Sequence, residues 1–266
     1  MSTKRLENKQ ILITGASSGI GYALSMLCAS EGANVIGLAR NENNLKEIKK
    51  IYENNFDFIL ADLKSKHSVE AIKTLNKFDI VVCNAGRGLT KMPLETTEDD
   101  ILDMIQLNLF SVMRTVEGAL PKMLEHGHGQ IIIVGSILGR VPYAPWRAAY
   151  NVSKAALLAI ATGWRQELEP KGITVTVVNP GLTSTGFQSS ANPDNKPMPS
   201  GWEKLKTLPS SQAQTAEEVA EIIVETIINP KDEVYTRTEI AAWMVHYFAQ
   251  LSEGRDILKD LYGYNK

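Results

Sequence analysis

The stretch Gln10-Ile11-Leu12-Ile13-Thr14-Gly15-Ala16-Ser17-Ser18-Gly19-Ile20-Gly21, continued as YALSMLCAS through Ser30, decides the architecture. Its first five residues form a short, nearly continuous apolar run, as expected of a strand buried on both faces. A G-x-x-x-G-x-G loop follows, and a helical segment opens directly from it. Gly15 permits the tight turn. Gly19 and Gly21 remove side chains where backbone must approach a pyrophosphate and where helix must approach sheet. The new helix offers unpaired N–H groups and the positive end of its dipole to phosphate oxygens. Ser17 and Ser18 add hydroxyl donors. Gly15, Ser17, Ser18, Gly19 and Ile20 are therefore candidate dinucleotide contacts.

Outward from this loop the same rhythm repeats. Strand-like runs lie at NVIGLA (34–39), DFILA (57–61), DIVVC (79–83), QIIIVG (130–135) and ITVTVV (173–178), with helical stretches between them. Such alternation predicts an α/β, Rossmann-type doubly wound parallel sheet with helices on both faces. Neither a second core nor a low-complexity linker is visible, so residues 1–266 read as a single domain. The segment 184–214 breaks the rhythm with Ser, Pro, Asn and Gly directly after a strand. Ligands of open α/β sheets lie outside the carboxyl ends of the strands. The region about 184–210 is thus a candidate substrate lid, with a plain surface loop as the alternative. Trp202, Leu205 and Leu208 favour a segment that docks.

Composition narrows the function. Apolar residues make up 44% of the 266, enough to fill a buried sheet and its covering helices. A net charge of −2 argues against a nucleic-acid partner, which needs several phosphates neutralised together. The opening MSTKRLENKQ shows no signal or transit peptide, so a cytoplasmic location is expected. No apolar run approaches the ~20 residues of a membrane span. Cys28 and Cys83 sit in apolar segments and read as packed, reduced thiols. His126 and His128, in the turn HGHG, fit a polar surface turn better than a metal site. No metal is expected.

The second strand ends in Leu38-Ala39-Arg40. An NAD-selective enzyme places an acid near this point to bind the ribose hydroxyls. Here Ala39 offers none, and the Arg40 fork suits the 2′-phosphate of NADP(H), which is expected to be preferred over NAD(H). An ordinary surface arginine is the alternative.

Tyr150-Asn151-Val152-Ser153-Lys154 opens the helical run YNVSKAALLAIATGWRQELE. Residues four apart share a helix face, so Tyr150 and Lys154 point the same way. A nearby ammonium stabilises a phenolate. Bringing a phenol from about 10 to neutrality takes roughly 4 kcal/mol, to which an oxidised nicotinamide would add.

Taken in order, the glycine loop, Asn84-Ala85-Gly86, Ser136, the Tyr150/Lys154 pair and Asn179-Pro180-Gly181 form a set. Over residues 8–183 the chain closely resembles the short-chain dehydrogenase/reductase family. The resemblance implies that Tyr150 is the general acid in carbonyl reduction and the base in alcohol oxidation. Lys154 would lower its pKa and hold the nicotinamide ribose, and Ser136 would bind the substrate oxygen. Asn108, in ILDMIQLNLFSVMRTVEGAL, would hold a proton-relay water. Asn84, Ala85 and Gly86 would line the cofactor, Asp62 and Leu63 would contact its adenine, and Pro180, Gly181 and Thr183 its nicotinamide side. Purely structural roles are the alternatives for Asn108 and Ser136.

The chain also departs from the family's pattern. Cys83 replaces a common Asn. The connection 64–78 is short, which predicts a trimmed third helix. The usual Gly-Gly ending gives way to EIAAWMVHYFAQLSEGRDILKDLYGY, an extension over about 238–266 that bears on the expected homo-oligomer, a dimer or tetramer. Its apolar stretch AAWMVHYFA fits a packed helix, a dimer contact or a membrane-surface contact. A ketone or alcohol is the expected small-molecule substrate. Arg87, Leu138, Tyr143, Trp146, Leu182, Phe187 and Trp202 are candidate pocket residues and favour an apolar or aromatic compound. Arg87 and Arg147 leave a carboxylate-bearing one open. The rival functions are a catalytically idle NADP-binding regulator and an epimerase or dehydratase of the family's extended branch.

Overall fold

The computed structural model describes residues 4–142, 144–192 and 212–237. The elements run in this order: β1 Gln10–Thr14, α1 Gly19–Ser30, β2 Asn34–Ala39, α2 Glu42–Ile51, β3 Phe56–Leu60, α3 His67–Lys73, β4 Ile80–Cys83, α4 Glu98–Asn108, α5 Phe110–His126, β5 Gly129–Val134, α6 Ala148–Leu168, β6 Ile173–Asn179, β7 Thr183–Ser184, α7 Phe187–Ala191, β8 Gln214–Thr215, α8 Ala216–Ile228 and β9 Glu233–Tyr235. Seven strands form a parallel sheet in the order β3-β2-β1-β4-β5-β6-β9, and β7 and β8 form a small parallel pair beside it. The order reverses direction between β1 and β4, the switch point at which α/β sheets hold ligands.

Alternation within the strands builds two cores. Ile11, Ile13, Val82 and Val134 face α1, α2 and α8, where they meet Leu24, Cys28, Leu45, Ile48, Val219 and Ile223. Leu12, Val81, Cys83 and Ile133 face the other way, onto Ile72, Val112, Val116, Leu157 and Ala161 of α3, α5 and α6. Successive residues of a strand point to opposite faces, so nearly continuous apolar runs are needed when both faces are covered. Each fully buried aliphatic side chain contributes roughly 1.5–3 kcal/mol. That term fixes the register, since a one-residue slip would swap the two faces.

Three differences from the sequence reading follow from tertiary contacts. Strands β3 and β5 begin and end one residue earlier than read, β4 begins one later and β6 ends one later, as the pairing with neighbouring strands sets their limits. The run around Asn108 is two helices rather than one, broken at Leu109, with φ −106° and ψ −56°. There the Asn108 side chain is bonded to another segment's backbone. The seventh strand, β9, was not legible: its three residues are all half-buried and carry no alternation. The connection after β3 does hold a short helix, the seven-residue α3.

Within the segment read as a lid, β7 and α7 are described, whereas residues 193–210, including Trp202, Leu205 and Leu208, lie outside the described residues. Tyr143 and the extension 238–266 do as well. Among the described residues no helix is long and apolar enough to cross a membrane.

Candidate active site

The parallel register brings the carboxyl ends of β1, β4, β5 and β6 to one edge, so Gly15, Asn84, Ser136 and Pro180 converge there. Gly15 has φ +68°, a left-handed backbone that disfavours other residues, and its N–H bonds Leu38 O at 2.8 Å. A Cβ on Gly21 would lie 2.3 Å from Gly15 O and 2.5 Å from the Asn84 amide nitrogen. The loop is therefore folded tightly onto the β4 turn. Thr14 ties the two together: its Oγ1 accepts from Asn84 N at 3.0 Å and Ala85 N at 3.1 Å. The Asn84 side chain returns a bond to Thr14 O at 3.0 Å. Asn44 Nδ2 holds Ser17 O at 2.8 Å. Thr14 and Asn44 escaped the sequence reading, because neither lies in the glycine pattern.

These residues fit a dinucleotide. The exposed Ser18 at the N-cap of α1 makes no capping bond, and the first turn of α1 holds no acid. The helix thus keeps free N–H donors and its positive end for phosphate. Arg40, directly after β2, is exposed, and no carboxylate among the described residues is bonded to it. Burial first, then the charges of Arg87 and Arg40, lowers the pKa of Lys64, with Asp62 acting in opposition. Cations thus gather at the β2–β3 end. Asp62 is exposed and accepts from Lys64 N, while Leu63 is buried and its carbonyl accepts from Arg114.

Ser136, Tyr150 and Lys154 are all buried, at 7%, 6% and 4% exposure, which shields any charge they carry from water. Lys154 Nζ donates to Val134 O at 2.8 Å and stands 5.9 Å from the Tyr150 ring centroid. Gly86 sits between the pair and α4: a Cβ there would be 3.6 Å from Lys154 Nζ and 3.0 Å from Asn108 Oδ1. Asn108, wholly buried, accepts from Arg87 N at 2.9 Å and donates to Arg87 O at 3.0 Å and Ser153 Oγ at 2.9 Å. Ser153 in turn donates to Tyr150 O at 2.7 Å. Both amide donors of Asn108 are thereby committed. Ser153 also escaped the sequence reading.

The electrostatics bring in a second cation. Burial pushes the Tyr150 phenol up, and the opposing influences are the neighbouring Ser136 hydroxyl and then the charge of Arg147. Lys154, although on the same helix face, is drawn to Val134 O, and burial lowers it to about 8. Arg147 is thus a second cation whose charge acts on the phenol, beside Lys154 at 5.9 Å from its ring.

A second network locks the Ser136 turn. Asn179 Oδ1 accepts from Ser136 N at 3.1 Å, and Asn179 Nδ2 donates to Glu233 Oε1 at 3.0 Å. Glu233 also receives Arg140 in a fork, at 3.0 and 2.8 Å. Pro180 O accepts from Ile137 N, Gly181 N donates to Thr236 Oγ1, and Thr183 Oγ1 donates to Gly181 O. Glu233→Ala would leave the buried Asn179 amide without its acceptor. The expected cost is about 1–3 kcal/mol, which calorimetry would read as a loss of roughly 2–4 °C in Tm per kcal/mol.

Of the candidate pocket residues, Phe187 meets the Tyr150 ring edge-on at 5.6 Å between centroids. The Arg87 side chain is instead paired with Asp103, which also pairs with Lys64.

The chain is similar to known proteins. The sequence profile of the short chain dehydrogenase family matches residues 9–196. An uncharacterized oxidoreductase of Staphylococcus aureus (strain MW2) is 31% identical over 197 residues, covering 72% of this chain and 85% of that protein. The 3-oxoacyl-[acyl-carrier-protein] reductase FabG of Escherichia coli (strain K12) is 31% identical over 195 residues, 71% of this chain and 80% of its own. The fold is shared with a gluconate 5-dehydrogenase candidate from Beutenbergia cavernae with bound NADP, at TM-score 0.79 and 22% identity, over 91% of this chain and all of the other. With its parallel sheet, glycine loop and clustered Ser136, Tyr150 and Lys154, the chain belongs to the short-chain dehydrogenase/reductase family of NAD(P)-dependent oxidoreductases.

Proposed function

We propose that this protein interconverts a ketone and a secondary alcohol with NADP(H), using Tyr150 as the proton donor or acceptor. The observation that carries the reading is the burial of Ser136, Tyr150 and Lys154 together beside the Asn84–Gly86 turn. When bound, the nicotinamide supplies or takes the hydride. In reduction, Tyr150 gives its proton to the carbonyl oxygen, and Ser136 bonds that oxygen and orients the substrate. Lys154, fixed by Val134 O, holds the ribose and places positive charge near the phenol. Asn108 positions this group through Ser153 and the Arg87 backbone. The uncapped N-terminus of α1, with Gly15, Ser17, Ser18, Gly19 and Ile20, receives the pyrophosphate. Asp62 and Leu63 take the adenine, and Pro180, Gly181 and Thr183 the nicotinamide end. Phe187 and Trp146 favour a substrate with an apolar body. A homo-oligomer is part of the proposal. NADPH oxidation across a panel of aromatic ketones, neutral and carboxylate-bearing, tests it: turnover of at least one is expected, whereas tight NADPH binding with no turnover of any would favour the idle-regulator alternative.

Arg40 carries the choice of cofactor. Its fork at a 2′-phosphate contributes roughly 1.5–3 kcal/mol, a preference of about 10- to 150-fold for NADPH over NADH in kcat/KM. Ala39→Asp combined with Arg40→Ala is expected to erode or reverse it, chiefly through cofactor KM, and added salt is expected to weaken it in the parent. Equal kcat/KM for the two cofactors in the parent would remove Arg40 from the site.

A further inference from the structure

Arg147 is the one buried arginine among the described residues, at 4% exposure. Arg5, Arg87, Arg140 and Arg165 each meet a carboxylate. Arg147 does not. Among the described residues its guanidinium makes a single hydrogen bond, from Nη2 to the neutral amide oxygen of Gln188, an exposed residue of the five-residue α7. Burying a charge without a counter-charge is costly, so chains that keep one generally use it.

The surroundings are shaped around this cation. Gly88 makes room for it: a Cβ there would lie 2.8 Å from Arg147 Nη1, Phe187 Cε1 and Ala191 Cβ. Phe187 also packs on the Tyr150 ring, so the guanidinium sits in the wall that touches the phenol. Its charge reaches Tyr150. The preceding residue, Trp146, has φ +59°, which a bulky side chain rarely adopts. Arg147 is itself the N-cap of α6, a 21-residue helix with no capping side chain and no acid in its first turn. Arg147 is thus a buried guanidinium fork at an uncapped helix start, and both features favour an oxyanion.

We propose that Arg147 binds the carboxylate of the substrate, so that the protein acts on oxo acids or hydroxy acids with an apolar body rather than on neutral ketones. A guanidinium matches a carboxylate in geometry and charge, and binding relieves the unpaired burial. Gln188 Oε1 occupies one donor in the meantime. The turnover part of this inference rests on the oxidoreductase reading; the anion-binding part does not.

Two measurements separate them. The first compares phenyl-substituted alpha-, beta- and gamma-oxo acids with their methyl esters. The parent is expected to favour at least one acid over its ester by about 10- to 100-fold in kcat/KM, the worth of a charge-assisted bond. In Arg147→Met, which replaces an unpaired charge with an apolar chain, that ratio collapses toward unity. Arg147→Lys retains part of it. Gly88→Ala, which displaces the guanidinium without removing it, weakens it. The second measures Tm with phenylacetate against phenylacetamide. The carboxylate, not the amide, is expected to raise Tm in the parent, and neither to do so in Arg147→Met. Equal rates for acids and esters in the parent, or a preference that survives Arg147→Met, overturns the proposal. Phenylacetate stabilisation through Arg147 with no turnover of any compound leaves the anion site standing and removes the oxidoreductase reading. Turnover of neutral ketones with no carboxylate effect does the reverse.

Discussion

Tyr150→Phe is expected to lower turnover by about 10²–10⁴-fold, the range of general acid–base catalysis. The substitution removes only the hydroxyl. The ring contact with Phe187 and the backbone bond from Ser153 remain, so Tm and NADPH affinity are expected to stay close to the parent. The pH profile adds a second check. Burial holds the Tyr150 phenol above its ordinary range, so it stays protonated through neutral pH and is ready to donate in reduction. Lys154, lowered to about 8, loses its charge as pH rises past that point. The kcat/KM for reduction is therefore expected to be flat near neutrality and to fall above about pH 8, since this parameter reports free-enzyme pKa values. Steady-state rates of Tyr150→Phe within a few-fold of the parent would sink the assignment.

Asn108→Ala is expected to be the most destabilising single change at the site. Three hydrogen bonds are lost from a wholly buried amide, and the Arg87 backbone and Ser153 hydroxyl lose their partner. Each unsatisfied buried group costs about 1–3 kcal/mol, so a total of roughly 3–5 kcal/mol and a fall of roughly 10 °C in Tm are expected. Turnover should fall as well, because Ser153 links Asn108 to the Tyr150 backbone. A Tm within 2 °C of the parent would show that the break at Leu109, not the amide, sets the position of α4.

The sequence by itself determined the parallel sheet, the glycine loop and the Tyr150–Lys154 pair. Each is a local property. Continuous apolar runs such as IVVC at 80–83 have no solvent face and so demand cover on both sides. Gly15 and Gly19 permit a left-handed backbone that most residues resist. The period of a helix places residues 150 and 154 on one face whatever surrounds them. Only the tertiary structure decided the rest. The strand Glu233–Tyr235 forms by pairing with β6, and its carboxylate reaches Ser136 through Asn179 across 54 residues of chain. Asn108 stands in the sequence as a candidate holder of a proton-relay water with a structural role as the alternative, and only the folded chain makes it the buried joint between α4, α6 and the Arg87 turn. Arg87 and Arg147 stand alike in the sequence as arginines open to a carboxylate, and only the packing of α7 and Gly88 around Arg147, against the pairing of Arg87 with Asp103, tells them apart. That Arg147 also acts on Tyr150 was likewise beyond the sequence. Helical spacing sets direction, but charge strength depends on desolvation and competing bonds, and these come from residues far away in the chain.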